Sequence, residues 1–134
     1  MAADGLTTLR SSYGPGDTMN RLEAEVKARG MTVFARIDHA AGATDAGLSL
    51  RPTEVLIFGN AKGGTPLMQS VQTIGIDLPL KALVWQDTSG VTWLSYNHPA
   101  WLAQRHGLAG ETSTAIGNLS AALAAVTKAA ISSS

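Results

Sequence analysis

Residues 53–97 read TEVLIFGNAKGGTPLMQSVQTIGIDLPLKALVWQDTSGVTWLSYN. The unbroken apolar run Val55-Leu56-Ile57-Phe58 predicts a strand covered on both faces. A glycine loop, Gly59 to Thr65, follows it. Thr65-Pro66 then reads as an N-cap with proline in the first helical position. Leu67, Met68 and Val71 give that helix an apolar side, and Leu78-Pro79 ends the connection. Leu80 to Asp87 and Val91 to Tyr96 predict a hairpin. Its loop, Thr88-Ser89-Gly90, has glycine last, which suits a three-residue turn with a bulge. That register sets Trp85 opposite Trp93, Val84 opposite Leu94 and Ala82 opposite Tyr96. Both sides of the hairpin are then substantially apolar. The chain's own helices can cover one side, and a partner subunit is the simplest cover for the other.

On the N-terminal side, Leu6 to Tyr13 reads as a first strand. Pro15-Gly16-Asp17 is a helix-entry signal with Asp17 as N-cap, and Met19, Leu22 and Val26 recur at helical spacing until Gly30. Met31 to Asp38 alternates as a strand with Met31, Val33, Ala35 and Ile37 on one face and Phe34 on the other. Ala40 to Leu50 is a small-residue loop with a helical turn. Beyond the hairpin, Asn97 caps a short helix over Pro99 to His106 that Gly107 stops. The last helix, about Thr112 to Ile131, carries Ile116, Leu119, Leu123, Val126 and Ala130 in one stripe.

The 134 residues fit one domain, spanning 1–134. No cysteine is present, so disulfides and thiolate metal sites are excluded. Ten basic residues balance ten acidic ones, which argues against a surface built to neutralise many phosphates; no nucleic-acid partner is expected. Charged residues make up only 15% against 45% hydrophobic, so extra apolar surface must be hidden in an interface, a ligand or both. A homodimer is the expected assembly. No apolar run reaches the ~20 residues of a bilayer span. The Ala-rich last helix could suggest a membrane surface, but Lys128 is its clear cation, so a packed or dimer helix is preferred. No signal peptide is read. The opening Met1-Ala2-Ala3-Asp4-Gly5 fits either a natural start or an initiator Met on a processed mature end.

Four segments occur in order: GMTVFARIDHAAGA (Gly30 to Ala43), LRPTEVLIFGNAKGGTPLMQ (Leu50 to Gln69), IDLPLKALVWQD (Ile76 to Asp87) and YNHPAWLAQRHGL (Tyr96 to Leu108). Together they resemble the bacterial family called domain of unknown function 302, over roughly residues 6–108. The Ala-rich helix over 111–131 adds little to the likeness. The resemblance implies a compact α+β domain similar to the TATA-binding-protein fold. That fold is an antiparallel-rich mixed sheet with helices mainly on one face, in the order strand, helix, four strands, helix. It also implies a dimeric habit and an exported, periplasmic location over a cytoplasmic one. It implies no activity, and the fold kinship brings no DNA binding where the basic surface is lacking.

The candidate chemistry centres on Asn60, Lys62, Gly63, Gly64 and Thr65. Backbone amides in such a loop, beside a helix start, can hold a small anion with help from Lys62. The loop superficially resembles a phosphate loop, but no lysine follows Gly64, so a Walker site is not expected. A glycine turn required by tight packing explains the same residues. Of three histidines, none is spaced for a metal, so no metal site is expected; the cofactor is left unknown, with carriage of a cofactor or metal through the histidines as a weaker third reading. Asp38 beside His39 suggests an oriented imidazole, although neighbours on a strand point apart. Asp77, Lys81 and Tyr96 could converge with His39 and Asn60 on one pocket, or be rim residues making caps and salt bridges. Trp85 with Trp93 could stack a flat ligand or simply pack. No serine nucleophile motif or carboxylate pair stands out. The expectation is a dimeric module that binds a small ligand, an anion or a protein partner without catalysis. The alternative is an enzyme of unassigned class using His39 with Lys62 or Lys81.

Overall fold

The computed structural model describes residues 3–108 and 110–132. The strands are β1 (Leu6–Arg10), β2 (Thr32–Asp38), β3 (Thr53–Gly59), β4 (Leu80–Gln86) and β5 (Thr92–Asn97). The helices are α1 (Pro15–Ala28), α2 (His39–Asp45), α3 (Ala61–Ser70), α4 (Pro99–Arg105) and α5 (Ser113–Ile131). Short 3-10 turns occupy Gln72–Asp77 and Gly110–Thr112. The strands form one sheet in the order β1-β5-β4-β3-β2, and every neighbouring pair runs antiparallel. The α+β architecture expected from the sequence is the one found.

The hairpin has the expected register, with Ala82 opposite Tyr96, Val84 opposite Leu94 and Trp85 opposite Trp93. Asp87 N donates to Val91 O at 3.0 Å, and Gly90 takes φ +82°, the left-handed geometry this loop needs. One side of the sheet carries Leu56, Phe58, Leu80, Ala82, Val84, Leu94 and Tyr96. These pack on Met19, Leu22 and Val26 of α1 and on Leu123, Val126 and Ala130 of α5, forming the main core. A second cluster joins Leu67 of α3, Ile74 and Leu102 of α4. The helical stripes read from the sequence are therefore the faces that bury.

Three local readings are corrected. Gly14, not Asp17, caps α1, because Pro15 can occupy its first turn, where no backbone donor is required; Asp17 sits in that turn instead. His98, not Asn97, caps α4: its Nδ1 accepts from Ala100 N at 3.1 Å. In β2 a bulge interrupts the alternation. Val33 pairs with Phe58 but Ala35 pairs with Ile57, leaving Phe34 as the extra residue. Val33 thus joins the core side, while Ala35 and Ile37 turn to the opposite face.

Among the described residues, neither buried cluster extends to the opposite face. Leu6, Val55, Ile57, Leu83, Trp85, Trp93, Ala35 and Ile37 lie on it, and none belongs to either buried cluster. Val55 and Ile57 are half-buried only. The continuous apolar run of β3 has one cover from this chain, not two.

Candidate functional site

The glycine-rich segment after β3 is the first turn of a helix. α3 begins at Ala61, five residues before the Pro66 start, capped by Thr65, that the sequence suggests, and Pro66 lies inside it. Asn60 is at least as good an N-cap as threonine, and it stands where β3 ends. Its Oδ1 accepts from Gly63 N at 2.7 Å, and its carbonyl receives Gly63 N and Gly64 N at 3.2 Å each. The amides that were expected to hold an anion are therefore engaged by Asn60. Gly63 has a packing reason to be glycine: an added Cβ would stand 3.2 Å from Leu119 Cδ2 of α5.

What this turn does border is a cavity of about 220 Å³. Phe34, Asn60, Gly64, Thr65, Met68 and Leu78 are among its walls. Pro79, Leu80 and Leu119 complete the apolar part, and Asn60 and Thr65 are its polar side chains. The bulge in β2 is what aims Phe34 here, where it stays 57% exposed at the rim. Lys62 is exposed on the same helical turn and is not part of the wall.

The other expected site residues do not gather there. Lys81 lies on the opposite sheet face, in the wall of a second, more open hollow of about 400 Å³ that Val55, Leu83, Trp85, Tyr96 and Asn97 also line. Tyr96 packs in the main core and also borders that hollow, so the structure brings Lys81 and Tyr96 together, away from Asn60. His39 opens α2 and is exposed. It follows Asp38, which pairs with Glu54, whereas Asn60 follows Gly59, which pairs with Thr32. Five residues of β3 separate those ends, about 17 Å at the strand rise. His39 is remote from Lys62 for the same reason. Lys81 pairs with Ile57, about 10 Å along β3 from Glu54 and two strands away from β2. Asp38 does not orient the imidazole either; its Oδ1 accepts from Ala41 N at 2.9 Å and caps α2.

The structure assembles a polar cluster that the sequence does not announce. His106 Nε2 meets Asp77 Oδ2 at 2.5 Å, and its Nδ1 meets Thr73 Oγ1 at 3.2 Å. Arg105 Nη1 donates to both Asp77 oxygens, at 3.0 and 2.8 Å. A hydroxyl, an imidazole and a carboxylate stand in line, but the guanidinium answers the carboxylate's charge. The arrangement ties the 3-10 turn to the end of α4. Asp77 and His106 are 29 residues apart, so no local spacing reveals them. Among the described residues, no three of His, Asp or Glu stand where they could share a metal ion.

The tryptophans lie across the opposite sheet face with ring centroids 6.2 Å apart and planes 28° from parallel. Trp85 Nε1 donates to Ser95 Oγ at 2.9 Å and Trp93 Nε1 to Asp87 Oδ2 at 2.8 Å. Both indole donors are thus satisfied within the hairpin, and π surface is what remains to present. Asp87 also accepts from Ser89 N and Val91 N. The Trp93 indole first, then the Val91 amide, hold its carboxyl below the usual range. At the other sheet edge, Arg36 forks onto Glu54 at 2.6 and 3.1 Å and reaches Asn20 and Glu23 of α1.

Comparison with known proteins agrees with this geometry. A crystal structure titled uncharacterized conserved protein DUF302 from Bacillus stearothermophilus superposes with a TM-score of 0.83, covering 96% of this chain and 99% of that one. At 22% identity it bears on the fold alone. Curated relatives from Brucella suis biovar 1 (strain 1330) and Brucella abortus biovar 1 (strain 9-941), each named "Fluoride-specific ion channel FluC 1", are 51% identical over 124 residues. That match covers 92% of this chain but 49% and 46% of theirs, so the chain spans about half the length of these relatives. The model of the family described as "Domain of unknown function DUF302" matches residues 7–126, and the chain belongs to that family.

Proposed function

We propose that this chain is a non-catalytic homodimeric module that binds a small ligand beside the first turn of α3. The apolar sheet face opposite the core carries the dimer reading. Leu83, Trp85, Trp93, Val55 and Ile57 form its middle, with Lys81 and Arg10 the cations on these strands' outer side. Five strands about 4.8 Å apart and some six residues long give a face of about 400 Å² in plan, and more as accessible surface. A standard interface uses about 800 Å² per partner, so two such faces must meet over nearly their whole extent. Sedimentation equilibrium of the wild-type chain against Leu83→Glu tests this. A dimer that becomes a folded monomer supports the reading, and a wild-type monomer at every concentration removes it.

The names of the Brucella relatives raise a second question, whether this chain conducts fluoride. We propose that it does not. Gly110–Ile131 is the one helix, among the described residues, long and apolar enough to cross a bilayer. Its Leu123, Val126, Thr127 and Ala130 are buried against the rest of the domain. The shared half is better read as a water-facing module that accompanies an ion path elsewhere in the longer relatives. Fluoride efflux from liposomes reconstituted with this chain alone should equal that of empty liposomes; faster efflux would refute the proposal. The balanced charge supports a module without nucleic-acid partners, and an exported location remains part of the proposal, testable by cell fractionation.

A further inference from the structure

We infer that the cavity beside α3 is a binding site for a small uncharged molecule built on one aromatic ring, with a single hydrogen-bonding group turned toward Asn60 and Thr65. The inference rests on the proposed ligand site and gives it a chemical class. Size comes first. An apolar cavity of about 150 Å³ suffices to bind benzene. The 220 Å³ here admits one ring with a short polar substituent. The walls come second. Phe34, Met68, Leu78, Pro79, Leu80 and Leu119 supply apolar surface, which disfavours an ion stripped of water. Met68 can reshape itself around a ring, and Phe34 at the rim offers a face or edge to it. The polar groups come third: Asn60 and Thr65 are the polar side chains in the wall.

The glycines are the independent observation. Gly64 lies inside α3, where glycine is unfavourable relative to alanine. Its φ is not positive, so no turn requires it. A Cβ there would meet Leu78 Cδ1 at 3.5 Å and Met68 Cε at 3.8 Å, ordinary contacts in the direction of the cavity. Neither backbone geometry nor a close approach demands glycine at this position. A Cβ there would instead take up part of the empty volume. Gly75, also in the wall, has no positive φ either, and a Cβ on it would press on Met68 Sδ at 3.2 Å.

Methionine methyl NMR tests the inference directly, because the chain has only four methionines. Met68 lines the cavity, while Met19 is buried in the main core. Benzyl alcohol should shift the Met68 methyl signal saturably and leave Met19 unmoved. Gly64→Leu, filling the cavity, should abolish that shift while the Met19 signal shows the fold retained; Leu78→Trp fills it from the facing wall should the first variant misfold. A saturable response that survives both fillings overturns the site. Inorganic phosphate distinguishes the two levels of the reading. A phosphate-induced shift of the Asn60 side-chain amide without any benzyl alcohol response overturns the ligand class but leaves a ligand site. No response to either probe overturns both.

Discussion

Leu123→Ala should unfold this protein more easily by about 3 kcal/mol, and that figure decides what α5 is. Leu123 is 1% exposed, and its neighbours along the stripe, Val126 and Ala130, are fully buried against α1 and the sheet. Truncating a buried leucine removes its transfer free energy and leaves a cavity, at a cost of about 2–5 kcal/mol. The middle of that range applies because Leu123 meets a core of helices on one side and strands on the other. A chain of this size has a urea m-value of about 1.5 kcal/mol/M, so the midpoint should fall by about 2 M. Fluorescence of Trp85, Trp93 and Trp101 reports the transition, without detergent. Ala124→Ser, on the exposed side of the same helix, is the control and should stay within about 0.5 kcal/mol of wild type. If α5 were a bilayer span, the two changes would not differ in this way. An unchanged midpoint for Leu123→Ala, or a wild-type chain insoluble without detergent, would refute the packing account.

Two further outcomes follow from the charged network. Arg36→Ala should cost about 1 kcal/mol, and Arg36→Lys should recover less than half of it, because an ammonium cannot reproduce the two-pronged contact with Glu54 while also reaching Asn20 and Glu23; full rescue by lysine in urea titrations would contradict the geometry. Acid should weaken the fold in a defined window. Asp87 is held low by the Trp93 indole and the Val91 amide, and Glu23 by Lys27 and Arg36. Carboxylates depressed in the folded state contribute stability above their unfolded range, near pH 4, and lose it as pH falls through the folded value. The melting temperature should therefore drop below about pH 4, and less steeply in Asp87→Asn; identical acid limbs would count against the Asp87–Trp93 contact.

The sequence made periodic features legible. Alternation and the Thr88-Ser89-Gly90 loop were enough to set the hairpin register to the residue, since a slip of one would exchange the core face and the opposite one. The stripe Leu123, Val126, Ala130 was readable for the same reason in α5. Features without a period were not legible. The bulge at Phe34 inserts one residue between two apolar ones, and nothing local distinguishes Val33 from Phe34 as core. The start of α3 was hidden because Asn60 and Thr65 are both good caps and Pro66 favours the second. Position decided it, since a helix opening at Asn60 continues directly from β3. The site was half legible. Asn60, Gly64 and Thr65 do line a cavity, but Phe34, Met68, Leu78 and Leu119 reach it from separate elements. That His39 lies far from Asn60 follows from antiparallel pairing of β2 with β3, which puts the end of one beside the start of the other.

Sedimentation equilibrium on the wild-type chain bears most directly on the proposal that the sheet face opposite the core is shared between two copies. The account requires a species of twice 13.9 kDa at micromolar concentration, converted to 13.9 kDa by a charge at Leu83 with the melting temperature of a folded domain retained. A wild-type mass of 13.9 kDa across the whole accessible concentration range would contradict it.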